Sequence, residues 1–260
     1  MNSSVANTAI LFPDIRHIES CASTNTILRE QLAEGAAQIG SVLVCLDQRS
    51  GHGRLNRTWV SPPGNLALSL ICPVTNWENA YQLNLLTALC LVRVIQKQTA
   101  LLPLIKWPND ILLHGKKVAG ILSEALPEYS AALIGVGLNL NTKLTDFPSE
   151  LQPILTTLKQ ECAQEFSATL FVDWFLQELT DALADYQTNG FSTFRAAITA
   201  LLAYRGQDVT VTEAGSEPIT ATVVGLDDNG FLIVKTKDNL EKILIAADVV
   251  KIGAPHAHGH

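Results

Sequence analysis

Between Gln48 and Trp59 the chain reads Gln-Arg-Ser-Gly-His-Gly-Arg-Leu-Asn-Arg-Thr-Trp, a run in which small and basic residues alternate. Glycine lets backbone N–H groups come close to an anion, and arginine offers a forked set of donors that matches a phosphate or a carboxylate. A loop of this length inside a compact domain predicts a functional, anion-binding segment, with a solvated basic surface loop as the alternative. It is not a dinucleotide fingerprint, because Gly51-x-Gly53 lacks the third glycine and no helix is expected to follow. The pattern G-x-x-x-x-G-K-[ST] occurs nowhere, so any use of ATP follows another scheme.

Three further stretches carry chemistry. Lys106-Trp107-Pro108-Asn109-Asp110 places an ammonium at the end of an apolar segment, a good way to aim one charge into a pocket where a carboxylate or phosphate oxygen compensates it. A lysine snorkelling from a strand end is the competing reading. Lys116-Lys117-Val118-Ala119-Gly120 joins cations to a small-residue strand against which something can pack. Gly135-Val136-Gly137-Leu138-Asn139 strips side chains from one face of a strand, which suits a flat ligand or, equally, a closely packed helix.

These stretches need elements to hold them. Ile15 to Glu19 reads as a short strand, and Ser23-Thr24-Asn25 offers an N-cap to a helix with Ile27, Leu28 and Leu32 at helical spacing. Ser41 to Leu46 is a near-continuous apolar run, as in a buried central strand, and Leu66 to Ile71 is another. Ala80 to Gln98 predicts a helix with a broad apolar face. Leu104 to Trp107, Ile111 to Leu113, Val118 to Leu122 and Ala132 to Leu140 predict strands, with a hairpin turn at His114-Gly115. Helices fill roughly 150 to 200, the clearest from Thr169 to Tyr186. After Tyr204 the texture changes to short alternating strands (Val209 to Val211, Thr220 to Val224, Phe231 to Val234, Lys242 to Ile245) separated by turns. The fold class is therefore α+β: a mixed-sheet domain flanked by helices over residues 1–204, a small β-barrel over 205–253 and a disordered tail over 254–260.

The bulk numbers fit. A chain of 260 residues with 47% apolar content buries a sizeable core. The net charge of -7 gives no basic field for nucleic acid. Five cysteines without metal-ligand spacing predict reduced, mostly buried thiols in a cytoplasmic protein. No signal peptide and no membrane span is legible.

Taken in order, Ser23-Thr24-Asn25, the Gln48 to Trp59 loop, Lys106 to Asp110, Lys117 to Leu122 and Gly135 to Asn139 resemble the biotin–protein ligases, also called biotin–[acetyl-CoA-carboxylase] ligases. The likeness runs from about Ile15 to Leu140 and continues through the small C-terminal domain, which in that family is an SH3-like barrel. It implies that Ser23, Thr24, Asn25 and Gln48 contact biotin, that Gly120, Gly135 and Gly137 form the floor beneath it, and that His52, Gly53 and Arg54 close over biotin and the adenylate. Lys106 would meet the reacting carboxylate and α-phosphate, with Arg54 beside it. Arg57, Trp59, Trp107, Lys117 and Asn139 would serve the nucleotide, with Asn139 near Mg2+. The loop departs from the family's Gly-Arg-Gly-Arg-x-Gly-Arg: His52 stands for the first arginine and Asn56 for the last glycine. A neutral histidine keeps one donor without the fork or the permanent charge, and Asn56 tolerates a positive φ.

The resemblance further implies the reaction. Biotin carboxylate attacks the α-phosphate of ATP, pyrophosphate leaves, and a lysine of a biotin carboxyl carrier domain then displaces AMP from the acyl adenylate. Fixed cations offset the meeting of two anions, and Lys106→Ala is expected to abolish adenylate formation. Asp110 is either a helper in deprotonating the carrier lysine or a structural anchor. The residues before Ile15 are too few for a DNA-binding domain, so no nucleic-acid or membrane partner is expected, and a homodimer is an option. The alternatives are a lipoate–protein ligase-like acyl ligase and a non-catalytic biotin-binding protein.

Overall fold

The computed structural model describes residues 12–74 and 80–252. The expectations of a frayed start and a disordered tail after residue 253 lie outside the described residues.

β1 (Asp14–Cys21) leads into α1 (Thr24–Ala33), whose N-cap is Ser23 with its hydroxyl accepting from the Thr26 amide, the cap expected from sequence. β2 (Ser41–Gln48) follows. The next segment is more ordered than the loop expected there: β3 (Gly51–His52) pairs with β4 (Thr58–Trp59), Gly51 opposite Trp59 and His52 opposite Thr58. The Gly53 amide donates to the Arg57 carbonyl at 2.7 Å and closes the connecting turn. The positive φ in this turn falls on Leu55, at 55°, where the sequence pointed to Asn56, at a cost on the order of 1 kcal/mol.

β5 (Leu66–Pro73), α2 (Ala80–Thr99), β6 (Leu104–Lys106), β7 (Asp110–Leu113), β8 (Lys116–Leu126) and β9 (Ala131–Leu138) complete the main sheet. Its order is β1-β2-β5-β9-β8-β7-β6, with β1 and β2 parallel and every other pair antiparallel. The sheet is mixed, as expected. Alternation along the strands divides its faces. Leu66, Leu68 and Leu70, with Ile134, Val136 and Leu138, pack into the main core with α2. This core also takes in α4 (Ala168–Asn189) and α5 (Ser192–Ala200), which follow the short α3 (Leu158–Cys162). On the other face Leu43, Ile71 and Leu133 meet Leu28 and Leu32 of α1. That helix covers only one end, so the face carrying Ala67, Gly120, Gly135 and Gly137 stays open as the floor of a cleft.

β10 (Asp208–Thr212), β11 (Ile219–Leu226), β12 (Leu232–Thr236), β13 (Glu241–Leu244) and β14 (Asp248–Lys251) form an antiparallel sheet in the order β13-β12-β11-β10-β14. The last strand is absent from the sequence reading. β13 and β14 remain at the two edges, so the expected barrel is an SH3-like sheet not closed by hydrogen bonds. A bulge between Val223 and Gly225 bends it.

The five cysteines are free, four of them buried, in line with the sequence reading. Burial pushes the Cys21 thiol up to about 12 and those of Cys72 and Cys90 higher still, which makes them inert.

Candidate active site

The open face of the main sheet, the β3–β4 ribbon and one side of the C-terminal sheet enclose a cleft of about 840 Å³. Its floor is built by register. β8 and β9 pair so that Gly120 faces Gly137 and Leu122 faces Gly135, all on the cleft side. The glycines leave room for side chains that arrive from elsewhere. A Cβ on Gly135 would stand 2.4 Å from Oδ1 of Asn25, and one on Gly137 would stand 2.4 Å from Cε2 of Trp59. Close approach is thus the reason for glycine: Gly135 makes room for the first turn of α1 through Asn25, and Gly137 for the Trp59 ring of the ribbon.

At one end of the floor the groups that line the cleft are neutral. The Thr24 amide and hydroxyl both donate to Oε1 of Gln48, at 2.9 and 3.1 Å. Oγ of Ser69, on β5, lies 2.7 Å from Oγ1 of Thr24 and 2.5 Å from Oδ1 of Asn25. Nδ2 of Asn25 donates to Oε1 of Glu124 at 3.0 Å. Ser23, Thr24 and Gln48 are buried. Such a connected polar set costs little while satisfied, and much if a ligand leaves it unpaired.

At the other end the groups are cationic. Nζ of Lys117 is 2.6 Å from Oδ1 of Asp110 and 5.3 Å from the centre of the Trp59 ring. It also lies 3.2 Å from where a Gly120 Cβ would be, which puts the ammonium over the floor. Lys106 pairs with Asp110 across β6–β7, and Asp110 with Gly120 across β7–β8, so Lys106 starts two strands farther out. It lines the cleft half-buried, and its ammonium has no hydrogen bond or ion pair to any described residue. Nη1 of Arg54 reaches Oδ1 of Asn109 at 3.4 Å. Asn109 in turn is tied to β8 through the Ile121 carbonyl, so the Lys106 to Asp110 turn braces the ribbon. Arg57 extends to Asp248 of the C-terminal sheet at 2.5 Å. His52 and Gly53 line the cleft, with the His52 side chain exposed.

Two of the expected nucleotide-side residues line the cleft but are largely engaged elsewhere. Trp107, expected against adenosine, is only 3% exposed. Its Nε1 donates to the Gly230 carbonyl at 3.2 Å and its ring meets Tyr81 edge-on at 6.1 Å, with Phe231 beyond. It joins the two sheets, so that only a small part of it reaches the cleft lining. Burial holds the neighbouring Tyr81 phenol far above its ordinary value, outweighing the nearby Arg54 charge. Asn139, expected near the metal, is held from both ends of its amide: Oδ1 accepts from Asn65 at 3.1 Å and Nδ2 donates to the Thr156 carbonyl at 3.0 Å. It pins the wall of residues 150–155 to the sheet. Among the described residues no group of three His, Cys, Asp or Glu side chains is placed to hold a metal.

Ser69 and Glu124 are absent from the sequence reading. Ser69 is the one polar residue of an apolar strand and Glu124 follows Ser123 near the end of β8, both weak signals, yet both support Asn25.

A mixed sheet with a polar pocket at one end of a glycine floor, cations at the other and a small C-terminal sheet as a side wall defines an acyl-activating class of enzyme. Comparison narrows it. Residues 17–141 match the biotin/lipoate A/B protein ligase family, and residues 205–251 match the biotin protein ligase C-terminal domain. The chain is 32% identical over 221 residues to the bifunctional ligase/repressor BirA of Bacillus subtilis, covering 83% of this chain and 68% of that one. It is 31% identical to the biotin–[acetyl-CoA-carboxylase] ligase of Paracoccus denitrificans, covering 82% of this chain and 92% of the other. Biotin protein ligase from Aquifex aeolicus, solved with biotin and ATP, superposes with a TM-score of 0.83 at 26% identity, covering 92% and 100% of the two chains. The chain belongs to the biotin protein ligase family.

Proposed function

We infer that the chain is an ATP-dependent biotin–protein ligase, which makes biotinyl-5'-AMP and passes the biotinyl group to a lysine of a carboxylase's biotin carboxyl carrier domain. The observation that carries this is the two-ended floor, with uncharged hydrogen-bonding groups above Gly135 and an ammonium above Gly120. A ureido head group on a short arm ending in a carboxylate matches that polarity. Lipoate's dithiolane has no donors or acceptors to match this polar end, which favours the ureido head group.

The chain's residues then act as follows. Thr24, Asn25 and Gln48 orient the head group, and the floor fixes the arm so that its carboxylate arrives at Lys117. Lys117, Lys106 and Arg54 offset the repulsion between that carboxylate and the α-phosphate. A carboxylate oxygen bonds to the α-phosphorus as the bond to pyrophosphate breaks. Trp59 offers its ring to the nucleotide. The β3–β4 ribbon, held by Arg57 to Asp248, keeps water from the mixed anhydride. The neutral amine of the carrier lysine then bonds to the acyl carbon and AMP departs. Asp110, engaged by Lys117, acts as an anchor. Mg2+, when bound with ATP, would supply further charge neutralisation. Among the described residues no cluster of His, Cys, Asp or Glu forms a protein cage for it.

Residues 1–204 serve as the catalytic domain and 205–253 as the appended one. The free thiols support a reducing compartment such as the cytoplasm. A net charge of -7 argues against a nucleic-acid partner for the described residues. The outer edge of β1 is where a second copy would add to form a homodimer.

ATP–pyrophosphate exchange tests this reading. Exchange is expected with biotin and not with lipoate. Exchange driven by lipoate, or by neither acid, would overturn it.

A further inference from the structure

Glu124, on β8, is not part of the cleft lining, yet it meets the cleft through Asn25. Oε1 accepts from Nδ2 of Asn25 at 3.0 Å, while Oε2 is held by the Arg29 guanidinium of α1. On the opposite side of the same amide stands Oγ of Ser69, 2.5 Å from Oδ1.

An asparagine amide presents different faces in its two orientations, and the surrounding groups decide between them. Ser69 does not decide. Its hydroxyl can donate to Oδ1 of Asn25. Equally it can accept from a flipped Nδ2 and donate to Thr24, which passes its own hydrogen to Gln48; that chain is fully directional. The flipped amide would satisfy Ser69, Thr24 and Gln48 better than the observed one. What forbids it is Glu124: a carboxylate only accepts, so a flipped Asn25 would set Oδ1 against Oε1.

We propose that Glu124 is a positioning residue for biotin: its carboxylate, steadied by Arg29, fixes the orientation of the Asn25 amide and hence which donor and acceptor the head group meets. The proposal rests on the reading of Ser23, Thr24 and Asn25 as the seat of that head group. A glutamine at 124 keeps size and shape but adds a donor, and so permits the flip.

The test measures KM for biotin and for ATP, and kcat, by pyrophosphate exchange for wild type, Asn25→Ala, Glu124→Gln, the double variant and Arg29→Ala. Glu124→Gln is expected to raise KM for biotin about tenfold, with KM for ATP unchanged. In the Asn25→Ala background the same substitution should change KM for biotin less than about twofold, because it acts through the missing amide. Arg29→Ala, on the exposed face of α1, should move KM for biotin the same way by a smaller factor. A Glu124→Gln enzyme with unchanged KM for biotin, one with KM for ATP raised as much, or an effect equally large without Asn25 would overturn the proposal. If Asn25→Ala itself leaves KM for biotin unchanged, the head-group assignment fails instead.

Discussion

The Lys117 ammonium stands 2.6 Å from Oδ1 of Asp110 and, in the same position, lies against the Trp59 ring over the glycine floor. This one cation is therefore positioned by a carboxylate, an aromatic face and a backbone stripped of side chains. Lys106, on the edge strand, lacks such bracing. The resemblance puts Lys106 at the reacting carboxylate; the register of β6, β7 and β8 starts Lys106 two strands out from Gly120, over which Nζ of Lys117 stands, and this makes Lys117 the rival candidate for that place.

Lys117→Ala should therefore lower biotin-dependent pyrophosphate exchange about a thousandfold, in the range seen for removal of a preorganised charge at a reacting centre. Lys106→Ala should retain at least about a tenth of wild-type exchange, its charge being farther from the floor. A reversed order of the two effects, measured side by side, would return Lys106 to the centre.

Asp110→Asn separates an anchor from a base. If Asp110 holds Lys117, adenylate formation and transfer from preformed biotinyl-5'-AMP should fall by similar factors, about tenfold each. Loss confined to the transfer half-reaction, in single-turnover experiments with a carrier domain, would make Asp110 the proton acceptor.

The floor predicts two distinct defects. Gly135→Ala drives a methyl into Asn25 and should raise KM for biotin, leaving KM for ATP unchanged. Gly137→Ala displaces Trp59 and should raise KM for ATP. Each is expected to be at least tenfold, since both contacts are far inside van der Waals distance. Matching effects of the two variants on both substrates would contradict the division of the cleft.

Trp107→Ala should cost about 3–5 kcal/mol of stability by urea titration, as a buried aromatic joining two sheets. A variant of normal stability with a raised KM for ATP would restore the nucleotide role.

Much of this was legible in the chain. The five motifs, the strands under them and the glycine floor stand out because each depends on residues close in sequence. What was hidden depends on pairing across the sheet. Trp107 and Trp59 are both aromatic residues in motifs lining the cleft, and only the packing of Trp107 against Gly230, far along the chain, buries one almost fully while the other stays more open. Asn139 carries a motif asparagine, but Asn65 and the Thr156 carbonyl hold both ends of its amide. β14 is short and half-polar, and with it went the barrel side of the cleft and the Arg57–Asp248 contact.

The central claim is that this cleft joins biotin to a protein through an adenylate. The most direct measurement is the intact mass of a biotin carboxyl carrier domain incubated with this chain, biotin, ATP and Mg2+. A gain of one biotinyl group on a single lysine, dependent on ATP, is the predicted result. An unchanged mass from a folded, biotin-binding preparation would contradict it.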